Sequence, residues 1–270
     1  MTDSWAKSPA RATGKREIGR AWTGGDRILV AVISDIHSNL QALEAVLEDV
    51  SSAGCTSVWC LGDIVGYGAD PEACVALARA HADVCLAGNH DLGVVGSISI
   101  SGFSDPARLA AEWTAAVLSE AATQFLRDLS PLNVEQVAAL YHGSPRDPVW
   151  EYILAPEQAR IAVEESPRRV TIVGHSHVAL AFAEAADTGV VGGPRGDGER
   201  LPLGTGRWLL NPGSVGQPRD GDPRAAWLEL DTESWSATFH RVAYDIPRAA
   251  AAIRDAGLPQ TLAERLSHGQ

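Results

Sequence analysis

Arg27-Ile28-Leu29-Val30-Ala31-Val32-Ile33-Ser34-Asp35-Ile36-His37-Ser38-Asn39 is an apolar, β-branched run that stops abruptly at polar side chains. Arg27 to Ser34 therefore reads as a buried first strand. Beyond it, Leu40, Leu43, Leu47 and Val50 fall at helical spacing with Glu44 and Glu48 opposite, which predicts a helix over Asn39 to Val50. Ser57 to Leu61 reads as a second strand closing on Gly62-Asp63, and Pro71 suits the first turn of a helix to about Ala80. Val84 to Ala87 reads as a third strand, ending in Gly88-Asn89-His90-Asp91. Alternating strands and helices predict an α/β fold with a parallel sheet covered by helices.

The chain beyond is patterned less regularly. Gly93 to Ser104 is Gly- and Ser-rich, either a mobile loop over a cleft or an ordinary surface loop. Between Pro106 and Leu129, the stripe Leu109, Trp113, Val117, Ala121 and Phe125 predicts a core-facing helical surface. A second set of strands is expected from Asn133 to Leu140, at Val170 to Val173 and at Val178 to Ala183, with a helix over Pro156 to Glu165. Thr188 to Gly206, rich in Gly and Pro, predicts a long hairpin or exposed loop. Arg207 to Leu210, Ala225 to Leu230 and Ser236 to Val242 are further strand candidates, and Pro247 to Ala256 and Gln260 to Leu266 suggest terminal helices.

Composition bounds the function. At 270 residues and 45% hydrophobic, the chain can bury one large core. One domain over 27–246 is expected, followed by a helical tail, 247–270, packed on or extending it. A net charge of -12 argues against duplex nucleic acid as the main partner. Cys55, Cys60, Cys74 and Cys85 include no Cys-x-x-Cys pair, so they read as reduced thiols of a cytoplasmic protein. No segment approaches a membrane span, so no membrane partner is expected. Residues 1–26 carry Lys7, Arg11, Lys15, Arg16 and Arg20 without periodicity or an apolar signal core. They read as a disordered basic arm or as a tether for an anionic partner or oligomer contact.

Five of the eight histidines lie in short polar blocks, most of them closing hydrophobic runs. The blocks hold Asp35 with His37, Asp63, Asn89 with His90 and Asp91, His142, and His175 with His177. Strand ends deliver side chains into a shared crevice. Nitrogen and carboxylate donors suit borderline divalent metals, and this set exceeds what one tetrahedral zinc takes but fits two metals sharing a bridge.

The blocks Ser34-Asp35-Ile36-His37-Ser38-Asn39, Leu61-Gly62-Asp63-Ile64-Val65-Gly66, Gly88-Asn89-His90-Asp91, Tyr141-His142-Gly143-Ser144-Pro145 and Val173-Gly174-His175-Ser176-His177 resemble the calcineurin-like metallophosphoesterase family. The resemblance is closest to its small bacterial and archaeal cytosolic phosphodiesterases, and it extends to Leu210-Asn211-Pro212-Gly213-Ser214-Val215-Gly216-Gln217-Pro218-Arg219-Asp220. It implies a four-layer α/β/β/α sandwich of two packed mixed β-sheets flanked by helices. It also implies that Asp35, His37 and His177 hold one metal, that Asn89, His142 and His175 hold the other, and that Asp63 bridges them. Residues two apart in an extended segment point to one side, which lets Asp35 and His37 face one ion. The implied cofactors are two divalent or mixed-valence transition metal ions, Mn in vitro, with Fe, Zn, Ni or Co also suited.

The implied activity is hydrolysis of a phosphodiester or other small phosphorylated substrate by a metal-bound hydroxide. His90 would touch phosphate and assist the leaving group, with Asp91 either orienting His90 or capping the next turn. The divalent charge outweighs the Asp35 and Asp63 carboxylates, and the surplus favours a phosphoryl transition state. Phosphoprotein phosphatases of the superfamily carry Asp-Arg-Gly shortly after Gly-Asp; this chain has Gly66-Tyr67-Gly68, which counts against a phosphoprotein substrate. Tyr67 would touch substrate or pack at the cleft rim. Asn211 and Arg219 are candidate substrate contacts beside Asn89 and His90, with a tight turn as the alternative; Arg146 either steers phosphate or is solvated. His81, His240 and His268 receive no role. The alternatives are a protein or nucleotide phosphatase, a non-catalytic scaffold of the same fold, and a DNA nuclease, which the acidity disfavours. A homodimer, with Trp5 or Trp22 contributing, is left open.

Overall fold

The opening apolar run forms strand β1 (Leu29–Ile33), buried from Val30 onward, and Asn39 then caps helix α1 (Leu40–Ser52) by accepting the Ala42 N–H. The computed structural model describes residues 28–134, 136–185 and 189–270. The expected basic arm, with Trp5 and Trp22, lies outside the described residues.

Strand β2 (Ser57–Cys60), helix α2 (Pro71–His81, with Pro71 in its first turn) and β3 (Val84–Cys85) complete the parallel unit. The register sets Val30 beside Ser57 and Ile33 beside Cys60. Helices α3 (Asn89–Val94), α4 (Asp105–Val117) and α5 (Glu120–Arg127) lead to β4 (Leu132–Asn133), β5 (Ala139–Tyr141), α6 (Pro156–Glu165) and β6 (Val170–Val173). Strands β7 (Ala179–Ala185), β8 (Gly189–Pro194), β9 (Arg200–Pro202), β10 (Trp208–Pro212), β11 (Ala225–Asp231) and β12 (Ser236–Val242) precede α7 (Ile246–Asp255) and α8 (Gln260–Glu264).

Two six-stranded sheets result, ordered β3-β2-β1-β11-β12-β9 and β4-β5-β6-β10-β7-β8. Both are mixed: β1 runs parallel to β2 and antiparallel to β11, while β10 runs parallel to β6 and antiparallel to β7. Their inner faces meet where Val30, Val32 and Leu61 pack with Leu140, Ile172 and Leu210. Ala31 and Ile33, one residue out of phase, face Leu43 and Val46 of α1. Helix α6 covers the other outer face, setting Ala159 and Val163 against Phe182 and Leu209. Each such fully buried Leu or Phe stabilises the fold by about 1.5–3 kcal/mol. The four-layer α/β/β/α arrangement follows.

Two expectations change. The stripe over Pro106 to Leu129 is core only in part: Trp113 and Phe125 are half-buried against core clusters, but Leu109 is 46% and Val117 47% exposed, while Ala107, Ala110, Ala111 and Thr114 face inward. Leu118 is extended and Ser119 caps α5, so the helical phase restarts and the apparent stripe is split between two helices. The Gly- and Pro-rich segment expected as a loop or hairpin supplies two edge strands on different sheets, β8 beside β7 and β9 beside β12. At the C-terminus, Ala249, Ile253, Leu262 and Leu266 pack with Ala107, Ala110 and Tyr67, fixing the tail beside the site described next. No described helix is long and apolar enough to cross a membrane. All four cysteines are free.

Candidate metal centre

The polar blocks follow strand ends, in loops except for Asn89, His90 and Asp91, which open α3, and the loop backbone departs from the extended form assumed above. Asp35, His37, Asp63, His175 and His177 all have positive φ, between 50° and 63°. Left-handed turns, not an extended segment, aim these side chains inward. Such a conformation costs a non-glycine residue on the order of 1–2 kcal/mol and persists only where surrounding contacts fix it. Those contacts are present. Asp35 N–H donates to the Gly62 carbonyl at 3.0 Å, His37 N–H to Asp63 at 2.9 Å, and Gly216 N–H to Asp35 at 3.0 Å. Gly62 (φ +96°) makes the β2 turn, and a Cβ there would lie 2.4 Å from the Gly88 nitrogen.

Two buried donor groups share Asp63. Asp35, His37, Asp63 and His177 place one ligand atom each within 4.8 Å of one another, as do Asp63, His142 and His175. Asn89 Oδ1 lies 3.2 Å from His142 Nε2, beside the second group. The Nδ1 atoms of His37, His142 and His177 lie 3.1, 2.9 and 2.6 Å from the carbonyls of Val65, Leu61 and Gln217. A carbonyl only accepts, so these partners assign the proton to Nδ1 and leave each Nε2 a bare acceptor aimed into the centre. Asp35 Oδ1 and Asp63 Oδ2 are buried there without a hydrogen-bond partner. Acceptors that converge with no donor between them are what a cation requires, so these residues fit divalent metal ions.

The electrostatics agree. Burial pushes His37, His90, His142, His175 and His177 below the usual imidazole value, leaving them neutral and competent as ligands. Burial, then the Asp91 and Asp35 carboxylates, pushes Asp63 well above the usual carboxylate range. Burial also raises Asp35, but where acid protonates His177 and His142 their charge outweighs it and holds the carboxyl below that range. A divalent ion relieves the strain on Asp63 by supplying the missing countercharge.

His90 is the block histidine outside both groups. Its N–H donates to Asp63 Oδ1 at 2.8 Å, and its Nδ1, buried without a partner, lies on the ring edge against Gly66. Asp91 does not orient that ring. Its carboxylate accepts the N–H groups of Ile64, Val65 and Gly88 at 3.2, 3.0 and 2.9 Å, clamping the Asp63 loop to the start of α3. Burial lifts its carboxyl to about 6 against those three hydrogen bonds.

Asp63, Asn89, His90, His175, His177 and Arg219 line a cleft of ≈ 410 Å³. Gly102 and Phe103 also line it, so the expected loop does border the site. Asn211 is a correction: its Nδ2 donates to the Gly174 carbonyl and Ser176 Oγ, its Oδ1 accepts from Gly213, and it holds the His175 turn from behind instead of facing the cleft. The Val215 and Gly216 N–H groups likewise serve Ser34 and Asp35, and the Gly213 N–H serves Asn211, so these three donors are already engaged. Arg146 pairs with Glu151, away from the cleft lining. Four cleft residues had no sequence signal as ligand types: Phe103, whose ring centre is 4.7 Å from that of His90; Tyr152, stacked on His175 at 4.0 Å; Trp150; and Arg265 from the C-terminal tail. The Trp150-Glu151-Tyr152 alternation soon after the His142 block was the one cue to an aromatic wall.

Comparison with known proteins agrees with this geometry. An uncharacterized protein of Methanocaldococcus jannaschii is 38% identical over 248 residues, covering 90% of this chain and 98% of that protein. A metallophosphoesterase from Sphaerobacter thermophilus, known from its crystal structure, is 40% identical with a TM-score of 0.83, covering 91% of this chain and all of that one. A Pyrococcus horikoshii hypothetical protein, 22% identical, shares the fold with a TM-score of 0.71, over 90% of this chain and 99% of its own. Residues 28–233, which carry every ligand block, match the calcineurin-like phosphoesterase superfamily domain, and the chain belongs to that superfamily.

Proposed function

We propose that this chain is a metal-dependent phosphoesterase acting on phosphodiesters or other small phosphorylated molecules with a pair of divalent ions. One observation carries the reading: Asp63 Oδ2, buried and unpartnered, lies 3.6 Å from both His37 Nε2 and His142 Nε2, and so belongs to both donor groups. Asp35, His37 and His177 would hold one ion, Asn89, His142 and His175 the other, with Asp63 between them. Manganese is the expected ion in vitro; Fe, Zn, Ni and Co suit the same ligands. Such a pair, when bound, polarises a phosphoryl oxygen and lowers the pKa of water for in-line attack.

The chain's own residues do the rest. His90 is fixed through its backbone to Asp63 and packed between Tyr67 and Phe103, at 4.4 and 4.7 Å. A neutral imidazole so placed offers its ring N–H to the leaving oxygen. Arg219 adds positive charge to the same cleft. A cleft of ≈ 410 Å³ is the size of a small-molecule site, which supports a small substrate over a phosphoprotein surface.

The test is hydrolysis of bis(p-nitrophenyl) phosphate and p-nitrophenyl phosphate by metal-stripped protein before and after refilling with manganese, with metal counted per chain. Restored turnover with two ions bound supports the reading, and the diester-to-monoester ratio reports its preference. Two ions bound with neither ester cleaved would favour the scaffold.

A further inference from the structure

Tyr67 stands where the related phosphatases carry arginine, and two guanidinium groups from distant parts of the chain gather on its ring. Arg219 Cζ lies 5.8 Å and Arg265 Cζ 6.0 Å from the ring centre. Both residues line the cleft with His90 and Asn89. Among the described residues, neither forms an ion pair with an Asp or Glu carboxylate. Arg219 Nη2 donates to Tyr67 Oη at 3.3 Å and to Gln217 Oε1 at 3.1 Å, while its Nε is buried without a partner. The Arg265 side chain is hydrogen-bonded through Nε alone, to the main-chain carboxyl oxygen of Gln270, the last residue, at 2.6 Å, with both terminal amino groups of the guanidinium left over. Burial and the neighbouring Arg219 charge push the Arg265 guanidinium below its ordinary value. Two like charges, half-buried against one ring in a protein of net charge -12, repel each other, and the Gln270 carboxyl oxygen meets only the Nε edge of one of them, so an anion between the two guanidiniums is favoured.

We propose that Arg219 and Arg265 form a second anion subsite, so that the preferred substrate carries another phosphate group besides the one cleaved. A metal pair already exceeds the Asp35 and Asp63 carboxylates and can hold the reacting phosphoryl group. Two further guanidiniums oversupply a monoanionic diester but match a dianionic phosphate, to which guanidinium forks bind in bidentate fashion. Arg265 lies outside residues 28–233, which match the superfamily domain, so the C-terminal tail brings this selectivity.

The inference rests on the phosphoesterase reading for its chemistry, and two measurements separate their failures. The first compares thymidine 5′-(p-nitrophenyl phosphate) with its 3′-phosphorylated counterpart as substrates of the manganese-loaded protein. The 3′-phosphate should lower KM about tenfold, Arg265→Gln should bring the two KM values together, and Arg265→Lys should retain part of the difference. The second is calorimetric binding of thymidine 5′-phosphate and thymidine 3′,5′-bisphosphate to the chelator-treated full chain, where the same preference and the same loss are expected. Hydrolysis of both esters with equal KM overturns the subsite and leaves the phosphoesterase standing. No hydrolysis, with the bisphosphate still bound tighter in an Arg265-dependent way, overturns the phosphoesterase and leaves the subsite. Should Arg265→Gln fail to fold, the wild-type preference and Arg265→Lys still decide.

Discussion

The Nε2 atoms of His37 and His177 face each other at 3.0 Å while each ring turns Nδ1 to a carbonyl. With the protons so assigned, two lone pairs point at one another in a buried space. Adding a proton is opposed by burial, the largest influence on both rings. A bound cation is the remaining way to satisfy both.

Acid should therefore destabilise the metal-free protein. Five buried imidazoles have folded values below the ordinary 6.5, so the unfolded chain binds more protons as pH falls through that value. Stability is full above about 6.5 and falls below it, each group contributing up to about 1.4 kcal/mol per pH unit. Asp63 and Asp91, pushed upward, act oppositely, but they are two against five. Thermal melts of chelator-treated protein should show Tm dropping between pH 7.5 and 5, and manganese at pH 7.5 should raise Tm. A flat profile would mean that the imidazoles are not buried neutral.

Asp63→Asn tests the shared ligand. The amide fills the same space but loses the charge that serves both donor groups, at 3.6 Å from His37 and from His142. Metal affinity should fall by more than about 100-fold, beyond what loss of a supporting partner costs. Elemental analysis after desalting should find fewer ions per chain than in the wild type. Two ions retained with undiminished turnover would sink the shared-site reading.

His90→Ala should do the reverse. His90 belongs to neither donor group, and its side chain faces Tyr67 and Phe103. Metal content should hold while kcat for bis(p-nitrophenyl) phosphate falls by about 10²–10⁴. Loss of metal from this variant would reassign His90 as a ligand.

These predictions rest mostly on residues legible in the sequence, and the exceptions have physical causes. Strands such as Val170–Val173 and the helix Pro156–Glu165 were readable because a buried run and a first-turn proline are local signals. The ligand blocks were readable because His, Asp and Asn rarely crowd strand ends without a reason. Leu109 and Val117 misled because periodicity ignores the break at Leu118, after which the helical phase starts afresh. Asn211 misled because an Asn beside Pro-Gly looks alike whether it meets a ligand or, as here, the Gly174 carbonyl. Trp150 and Tyr152 left only their alternation after the His142 block as a cue, and Arg265 gave none, since a loop and a docked tail bring them to the cleft and no local period encodes it.

Gly88 offers a test that needs no catalytic group. Its backbone is ordinary (φ -95°, ψ 178°), so alanine meets no conformational penalty. Space is the constraint: a Cβ would lie 2.0 Å from Asp63 Oδ1 and 2.5 Å from the Asp63 nitrogen. Oδ1 is held by the His90 N–H at 2.8 Å, and the Asp63 loop by Asp91, so neither neighbour can retreat without undoing the other. Gly88→Ala should cost about 1–3 kcal/mol, as overpacking does, and should displace the carboxylate shared by the two donor groups. Gly193→Ala, where a Cβ meets nothing within 4 Å, is the matched control and should stay within about 0.5 kcal/mol of wild type. Denaturant melts give the stability difference and elemental analysis the metal content. If Gly88→Ala keeps wild-type stability and both ions, the Asp63 carboxylate is not pinned against the α3 turn, and its Oδ2 is not held between the two donor groups.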